Sequence, residues 1–195
     1  MIILASQSAS RRAMLAAAGV VFEAQAAGVD EDAAKAALSH LGPRDLADAL
    51  AELKALKVSA RRPDALVLGS DSVVALADGS LLDKPENREA AADHLARMSG
   101  GVHRLWSAAV IAEDGAPVWR HVERVKLHVR PLSVSFIDRY LDVEWPAIGG
   151  CVGCFRIEGP GAQLFDRVEG DHFTVLGLPL LHVLGYLRTR GVLAR

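Results

Sequence analysis

The sequence predicts an α/β protein, on three observations. The chain opens with an apolar run, Ile2-Ile3-Leu4-Ala5, which stops at a polar turn, Ser6 to Arg12, and passes into an Ala-rich stretch closed by Gly19. A buried strand needs only a few apolar residues, Ser is a favoured N-cap, Ala and Leu favour helix, and Gly ends one. Farther along, stretches with apolar residues at helical spacing alternate with short apolar runs that suit buried strands. Hydrophobic residues make up 51% and charged residues 24% of the 195 residues, the composition of an ordinary globular protein. That length allows one sizeable domain or two small lobes around a shared core.

The first junction has a chemical meaning. Ser6, Ser8, Ser10, Arg11 and Arg12 bring hydroxyls, backbone N–H groups, the positive end of a helix dipole and two guanidinium groups to one spot, which suits a phosphate. The plain alternative is that the serines only cap and the arginines are solvated. Val20 to Ala24 reads as a second strand leading to an acidic turn, Gly28 to Asp32, where Glu31 stands. Carboxylates at a strand end suit a hard cation such as Mg2+, although a solvated acidic loop is the commoner case.

From about Arg44 to Ala60, Leu46, Leu50, Leu53 and Leu56 recur at helical spacing behind Pro43, which predicts an amphipathic helix; Lys54 and Lys57 on it would by default be solvated. In Asp64 to Leu76 an apolar run is interrupted by Gly69-Ser70-Asp71-Ser72, so a carboxylate falls inside a would-be buried strand. Burying an ionised Asp without a partner is costly, so Asp71 should meet a metal, a lysine or an arginine, and buried charges tend to mark sites.

Leu81-Leu82 reads as a short strand, and Pro85 holds Lys84 at a stiff turn from which an ammonium can be aimed at a phosphate. A helix follows over Asn87 to Met98, with Ala91, Leu95 and Met98 on its apolar side. Strands are expected over Arg104 to Glu113, Val118 to Glu123, Val125 to Val129 and Gly153 to Ile157, with a helix over Ser135 to Val143 among them. Thr174 to Pro179 turns the chain into a final helix with Pro179 in its first turn. His103 alone reads as a hydrogen-bonded structural histidine.

Several function classes are disfavoured. A net charge of −2 offers no basic footprint for a nucleic-acid polymer or an anionic membrane. No apolar run approaches a membrane span, and Met1 enters a short strand without the basic and long apolar regions of a signal peptide. The two cysteines are too few for a disulfide framework, which fits the cytoplasm. Cys151-Val152-Gly153-Cys154 has no second pair to complete a zinc site and no helix behind it of the thioredoxin kind, so both read as small buried residues.

In order, the motifs resemble the Maf family, the septum formation inhibitor Maf-like proteins, which are nucleoside triphosphate pyrophosphatases. Leu4, Ala5, Ser6, Ser8 and Arg11 match its Leu-Ala-Ser-x-Ser-x-x-Arg opening. Glu31, the helix segment Ala51 to Ala55 with Lys54, the Gly-x-Asp strand with Asp71, Lys84-Pro85, Ser99-Gly100 with His103, Glu158-Gly159 and Gly177-Leu178-Pro179 follow in the family's order over nearly the whole chain.

The resemblance implies an α/β fold with a mixed twisted sheet in two lobes and a central cleft, similar to the inosine triphosphate pyrophosphatases, residues 1–195 forming one Maf-like domain. It implies cleavage between the α and β phosphates of a small-molecule nucleotide with Mg2+ or Mn2+, in the service of removing non-canonical nucleotides, by a protein for which a homodimer is allowed. Ser6, Ser8, Arg11, Lys54 and Lys84 would serve the phosphates with Arg12 as a helper, Glu31 and Asp71 would hold the metal, and Asp71 would accept the proton. Such chemistry needs charge neutralisation and positioning more than covalent help. Base choice would involve Ser10, Ser72 and Glu158. An ionised Glu only accepts hydrogen bonds and so matches the donors of a guanine edge, which leans to 7-methyl-GTP over dTTP and UTP; Ser10 and Ser72 match neither branch. The competing readings are a non-catalytic nucleotide-binding regulator of cell division and thiol redox chemistry at Cys151 and Cys154.

Overall fold

The computed structural model describes residues 1–194. In chain order its elements are β1 (Ile2–Leu4), α1 (Ala9–Ala17), β2 (Glu23–Ala24), α2 (Glu31–Ala37), α3 (Pro43–Ser59), β3 (Leu66–Ala75), β4 (Leu81–Leu82), α4 (Arg88–Met98), β5 (Val102–Glu113), β6 (Ala116–Val129), α5 (Val134–Glu144), β7 (Phe165–Glu169), α6 (His172–Val175) and α7 (Leu180–Thr189), with 3-10 turns at Ala147–Gly150 and Pro160–Leu164. The strands form one mixed sheet in the order β2-β1-β3-β5-β6-β7, with β4 on β3. β1 runs parallel to β2 and β3, whereas β3 with β4 and β6 with β7 are antiparallel. The expected α/β class is the observed one. Among the described residues no helix is long and apolar enough to cross a membrane.

The chain divides into two compact units: Met1–Ser72, Trp106–Glu123 and the segment from Asp171 onward make the first, and Val73–Leu105 with Arg124–Gly170 the second. In the first, Ile2 and Leu4 pack with Leu15, Leu68, Ile111, Leu178 and Val183, while Ile3 and Ala5 pack on the opposite face with Val58, Ala65 and Val67. A strand buried on both faces reads as a continuous apolar run instead of an alternating one, which is why β1 was visible in three residues. In the second, α4 packs on α5 and Arg88 Nη2 reaches Asp142 Oδ1 at 2.7 Å. The buried Glu144 is held by both Nε and Nη2 of Arg156, each at 2.9 Å.

Several elements differ from their sequence expectation, each for a physical reason. The expected strand Val20 to Ala24 shrinks to β2, because Val20 is spent ending α1. Gly19 takes φ +74°, its N–H bonds Ala16 O, and Val20 N–H bonds Leu15 O, so the helix closes on a left-handed glycine. The acidic turn is instead the start of a helix, with Asp30 Oδ1 accepting from Ala33 N–H at 3.0 Å and Glu31 in the first turn. The runs Val118 to Glu123 and Val125 to Val129 are one strand, β6, joined to β5 by Asp114-Gly115, both at positive φ. That dipeptide is a strong hairpin signal. Gly153 to Ile157 is not a strand, since Gly153 at φ +83° and Cys154 at φ +57° take the backbone out of the extended region. β7, which no expectation covered, pairs with β6 instead. His103 is buried between Phe155 and Phe165, and neither ring nitrogen has a hydrogen-bond partner among the described residues.

Candidate active site

A glycine lets the central charges of the first unit meet. A Cβ at Gly69 would stand 2.2 Å from Ala51 O and 2.6 Å from Ala55 N, so β3 and α3 touch backbone to backbone there. The sequence supplies alanines at 51 and 55, both fully buried, for the same reason. Lys54, on the same stretch of α3, is 7% exposed and Asp71, two residues past Gly69, is 8% exposed. Lys54 Nζ lies 2.5 Å from Asp71 Oδ1 and 2.7 Å from Glu31 Oε1, the half-buried carboxylate at the head of α2. The partner that a buried Asp71 demands is therefore this lysine, and two carboxylates converge on one ammonium.

The α1 junction closes around the neighbouring arginine. Ser8 caps the helix, its Oγ accepting from Arg11 N–H at 3.4 Å, and Ser6 Oγ accepts from Ser8 N–H at 3.2 Å. Arg11, buried despite its charge, donates from Nε to Gly177 O at 2.8 Å and from Nη2 to Ser72 Oγ at 2.9 Å. Burial lowers its pKa from the usual arginine value, and the nearby carboxylates of Asp71 and Glu31 oppose that shift. With Lys54, the four charges of this cluster balance.

Hydroxyls fix the arginine in turn. Ser107 Oγ donates its one proton to Thr174 O at 2.9 Å, so in its 2.9 Å bond with Ser72 the donor is Ser72, which leaves Ser72 Oγ as acceptor for Arg11. Ser70 Oγ donates to Gly177 O at 3.1 Å, and Ser10 Oγ to Leu176 O at 2.9 Å. Gly177 sits at φ +100°, and a Cβ there would come 3.3 Å from Ser72 Oγ and 3.5 Å from Arg11 Nε. The local pattern at Gly177 predicts a turn within a family motif; as the carbonyl that receives Arg11 and Ser70, Gly177 also belongs to the candidate site, as do Ser70, Ser107 and Thr174. The available signal was the Gly-Leu-Pro itself, a glycine where the chain needs positive φ and cannot tolerate a side chain.

The model of the Maf-like protein family matches residues 1–190. This chain belongs to the Maf family. Among Maf relatives, a nucleoside triphosphate pyrophosphatase of Sphingopyxis alaskensis is 55% identical over 98% of each chain. One of Caulobacter vibrioides is 50% identical over 98% of this chain and 96% of its own, and nucleoside triphosphate pyrophosphatase 1 of Jannaschia sp. is 52% identical over 99% and 98%. A solved dITP/XTP pyrophosphatase from Mycobacterium abscessus aligns with 67% of this chain and 74% of its own at TM-score 0.40 and 16% identity, a likeness too weak to build on.

Of the remaining candidate residues in this Maf chain, Arg12 stands exposed on α1. Lys84 and Glu158 belong to the second unit, both exposed, Lys84 just after β4 and Glu158 in the turn before Gly159. Both act on one thiol: burial above all, then Glu158, pushes the Cys151 pKa up, while Lys84 opposes. Burial pushes Cys154 up to about 12, and its Sγ stands 3.5 Å from His94 Nδ1. Neither thiol is activated as a redox nucleophile would be. The structure thus gathers Ser6, Ser8, Ser10, Arg11, Glu31, Lys54, Asp71 and Ser72 in the first unit, and Lys84 and Glu158 around Cys151 in the second.

The donors also fit the metal that the resemblance implies. Glu31 and Asp71 offer only oxygen, the ligand type that Mg2+ and Mn2+ prefer, and their meeting on Lys54 Nζ shows that they address a common place.

Proposed function

We propose that this Maf protein is a nucleoside triphosphate pyrophosphatase that hydrolyses the bond between the α and β phosphates, releasing the monophosphate and pyrophosphate, with Asp71 as the proton acceptor. The observation that carries the reading is the buried carboxylate of Asp71 held by Lys54 together with Glu31, beside a guanidinium fixed by backbone and hydroxyl oxygens. Relatives at 50% identity and above bear the same activity in their names.

In this mechanism Lys54 anchors one oxygen of Asp71, leaving the other to take the proton of the attacking water. Glu31 and Asp71 would hold a divalent cation, which would supply charge neutralisation for the phosphates and lower the cost of deprotonating a bound water. The N-terminus of α1, with Ser6 and Ser8, offers hydroxyls and a positive dipole end to a phosphate group. Arg11 holds fixed positive charge beside it, with two of its five N–H donors serving Gly177 and Ser72; for Arg12 and Lys84 the support for a phosphate role is the family resemblance. Ser10 and Ser72 spend their protons on Leu176 O and Ser107 Oγ, so they act by positioning α1 and Arg11.

The base is the finer part of the proposal: the carboxylate of Glu158, an acceptor of hydrogen bonds, favours the donor edge of guanine and hence 7-methyl-GTP. Pyrophosphate release measured over 7-methyl-GTP, GTP, dTTP, UTP and CTP, with and without Mg2+, tests each layer. The expected result is Mg2+-dependent release, greatest with 7-methyl-GTP. Greatest release with dTTP or UTP moves the protein to the pyrimidine branch, and release from none of them favours a nucleotide-binding regulator.

A further inference from the structure

A second group of ligand-type side chains stands in the first unit, and the reaction above uses none of it. β6 carries His121 and Glu123, two residues apart and so on one face of the strand, and the first turn of α7 carries His182. His182 Nδ1 lies 3.4 Å and His121 Nε2 3.8 Å from the same oxygen, Glu123 Oε2, and one ligand atom from each of the three residues lies within 4.8 Å of the others. The two imidazoles stack at a centroid distance of 3.7 Å and 14° between planes. Behind them Trp119 stacks on His121 and on Tyr186, at 6.3 Å and 5.3 Å, so the group rests on an aromatic floor.

We propose that His121, Glu123 and His182 form a binding site for a divalent transition-metal ion, Zn2+ by preference, separate from the oxygen-only pair of Glu31 and Asp71. Two imidazoles and a carboxylate are a donor set that Zn2+ takes readily, with a fourth position left for water or a ligand, whereas Mg2+ favours oxygen alone. Tetrahedral bonds of about 2.0–2.2 Å put neighbouring donor atoms roughly 3.4 Å apart, so the observed spacings about Glu123 need little adjustment.

Glu123 Oε2 also lies 3.3 Å from Thr174 Oγ1, whose single proton is shared between it and Asp171 Oδ2, the nearer carboxylate oxygen at 3.0 Å. One movement is required. An ion lies near the plane of each imidazole that binds it, and two nearly parallel rings cannot both meet that condition. His182, with 48% of its side chain exposed at the start of α7, has room to turn out of the stack, while His121 is the more enclosed of the two, at 30%.

Titration of the metal-free, full-length protein with Zn2+ against a chromophoric chelator, in excess Mg2+, tests the proposal. One equivalent of Zn2+ is expected to bind, with an affinity reduced roughly 100-fold in His182→Ala or Glu123→Gln, since losing even an outer-shell partner costs about 10- to 100-fold. Asp71→Asn should bind Zn2+ as the parent does. The His182 imidazole proton resonances should shift on Zn2+ addition in the parent and in Asp71→Asn. Because His182 is exposed, unchanged circular dichroism will show that its variant folds. Absence of stoichiometric binding, binding that survives both His182→Ala and Glu123→Gln, or binding abolished by Asp71→Asn would each overturn the site, the last by placing the ion at the acidic pair.

Discussion

Lys54 sits between two carboxylates, and its removal should cost more than its own contacts. Lys54→Met leaves Asp71 and Glu31 without the ammonium that both contact, with Arg11 alone to offset two negative charges, and breaking a buried pair in this way costs about 3 kcal/mol or more. Urea denaturation should show that loss, and adding Asp71→Asn to Lys54→Met should restore part of it, because the uncompensated charge is then gone. Activity behaves otherwise: Asp71→Asn alone should reduce kcat by at least about 100-fold with folding intact. Unchanged turnover in that variant would remove Asp71 from the mechanism.

His103 carries a different cost, because both ring nitrogens are buried without partners among the described residues. Burial lowers its pKa to about 4. In the unfolded chain the same group binds a proton near 6.5, so between these values the unfolded state holds more protons and acidification favours it. The contribution of His103 to stability is fully present above about pH 6.5 and is lost as pH falls through 4, an effect of about 3 kcal/mol. In His103→Leu, urea midpoints followed from pH 7 to pH 4 should fall less steeply than in the parent. Equal slopes would mean that the imidazole is hydrated or paired in solution.

At the scale of elements, the distance between α3 and β3 is set by Gly69. Gly69→Ala must drive a methyl group against Ala51 O and Ala55 N, which moves α3 and Lys54 with it. Overpacking of this kind costs about 1–3 kcal/mol, and here the obstacle is backbone that cannot rotate aside. A loss of at least about 2 kcal/mol, together with most of the activity, is expected. Gly79→Ala is the control: its φ is +86° but its Cβ would meet open space, so it should cost only the backbone strain of about 1–2 kcal/mol and leave kcat unchanged. Equal effects of the two substitutions would show that the close approach at Gly69 is unimportant.

The sequence shows elements well where their cause is local. The Ser cap of α1 and the helical period of α3 could be read because their causes lie within a few residues, although on α3 Leu53 is exposed and Lys54 is buried. Glu31 was legible as a residue but not as the head of a helix, since the alanines behind it have no apolar face to betray their period and none of α2 is buried. β7 was hidden by its charges, Asp166, Arg167 and Glu169; its register on β6 depends on a partner strand some 40 residues earlier.

For the whole molecule, the net charge of −2 bears on partners more than on fold. A protein with no basic footprint should not be drawn to polymeric nucleic acid, so duplex DNA in excess should leave pyrophosphate release from a mononucleotide unchanged even at low salt; strong inhibition would expose a local basic patch that the overall balance conceals. The α/β class and the order of chemical motifs could be read from the chain directly, because secondary structure follows apolar period and capping, and the motifs are contiguous. Tertiary structure alone decided which charges meet. Lys54 and Asp71 are 17 residues apart, Arg11 and Ser72 are 61, and Arg11 and Gly177 are 166. A lysine on a helix is solvated by default, and nothing local distinguishes Lys54 from Lys57. What distinguishes them is that α3 lies directly on the backbone of β3 at Gly69, so that one lysine is enclosed with Asp71 while the other reaches the carbonyl of Gly28.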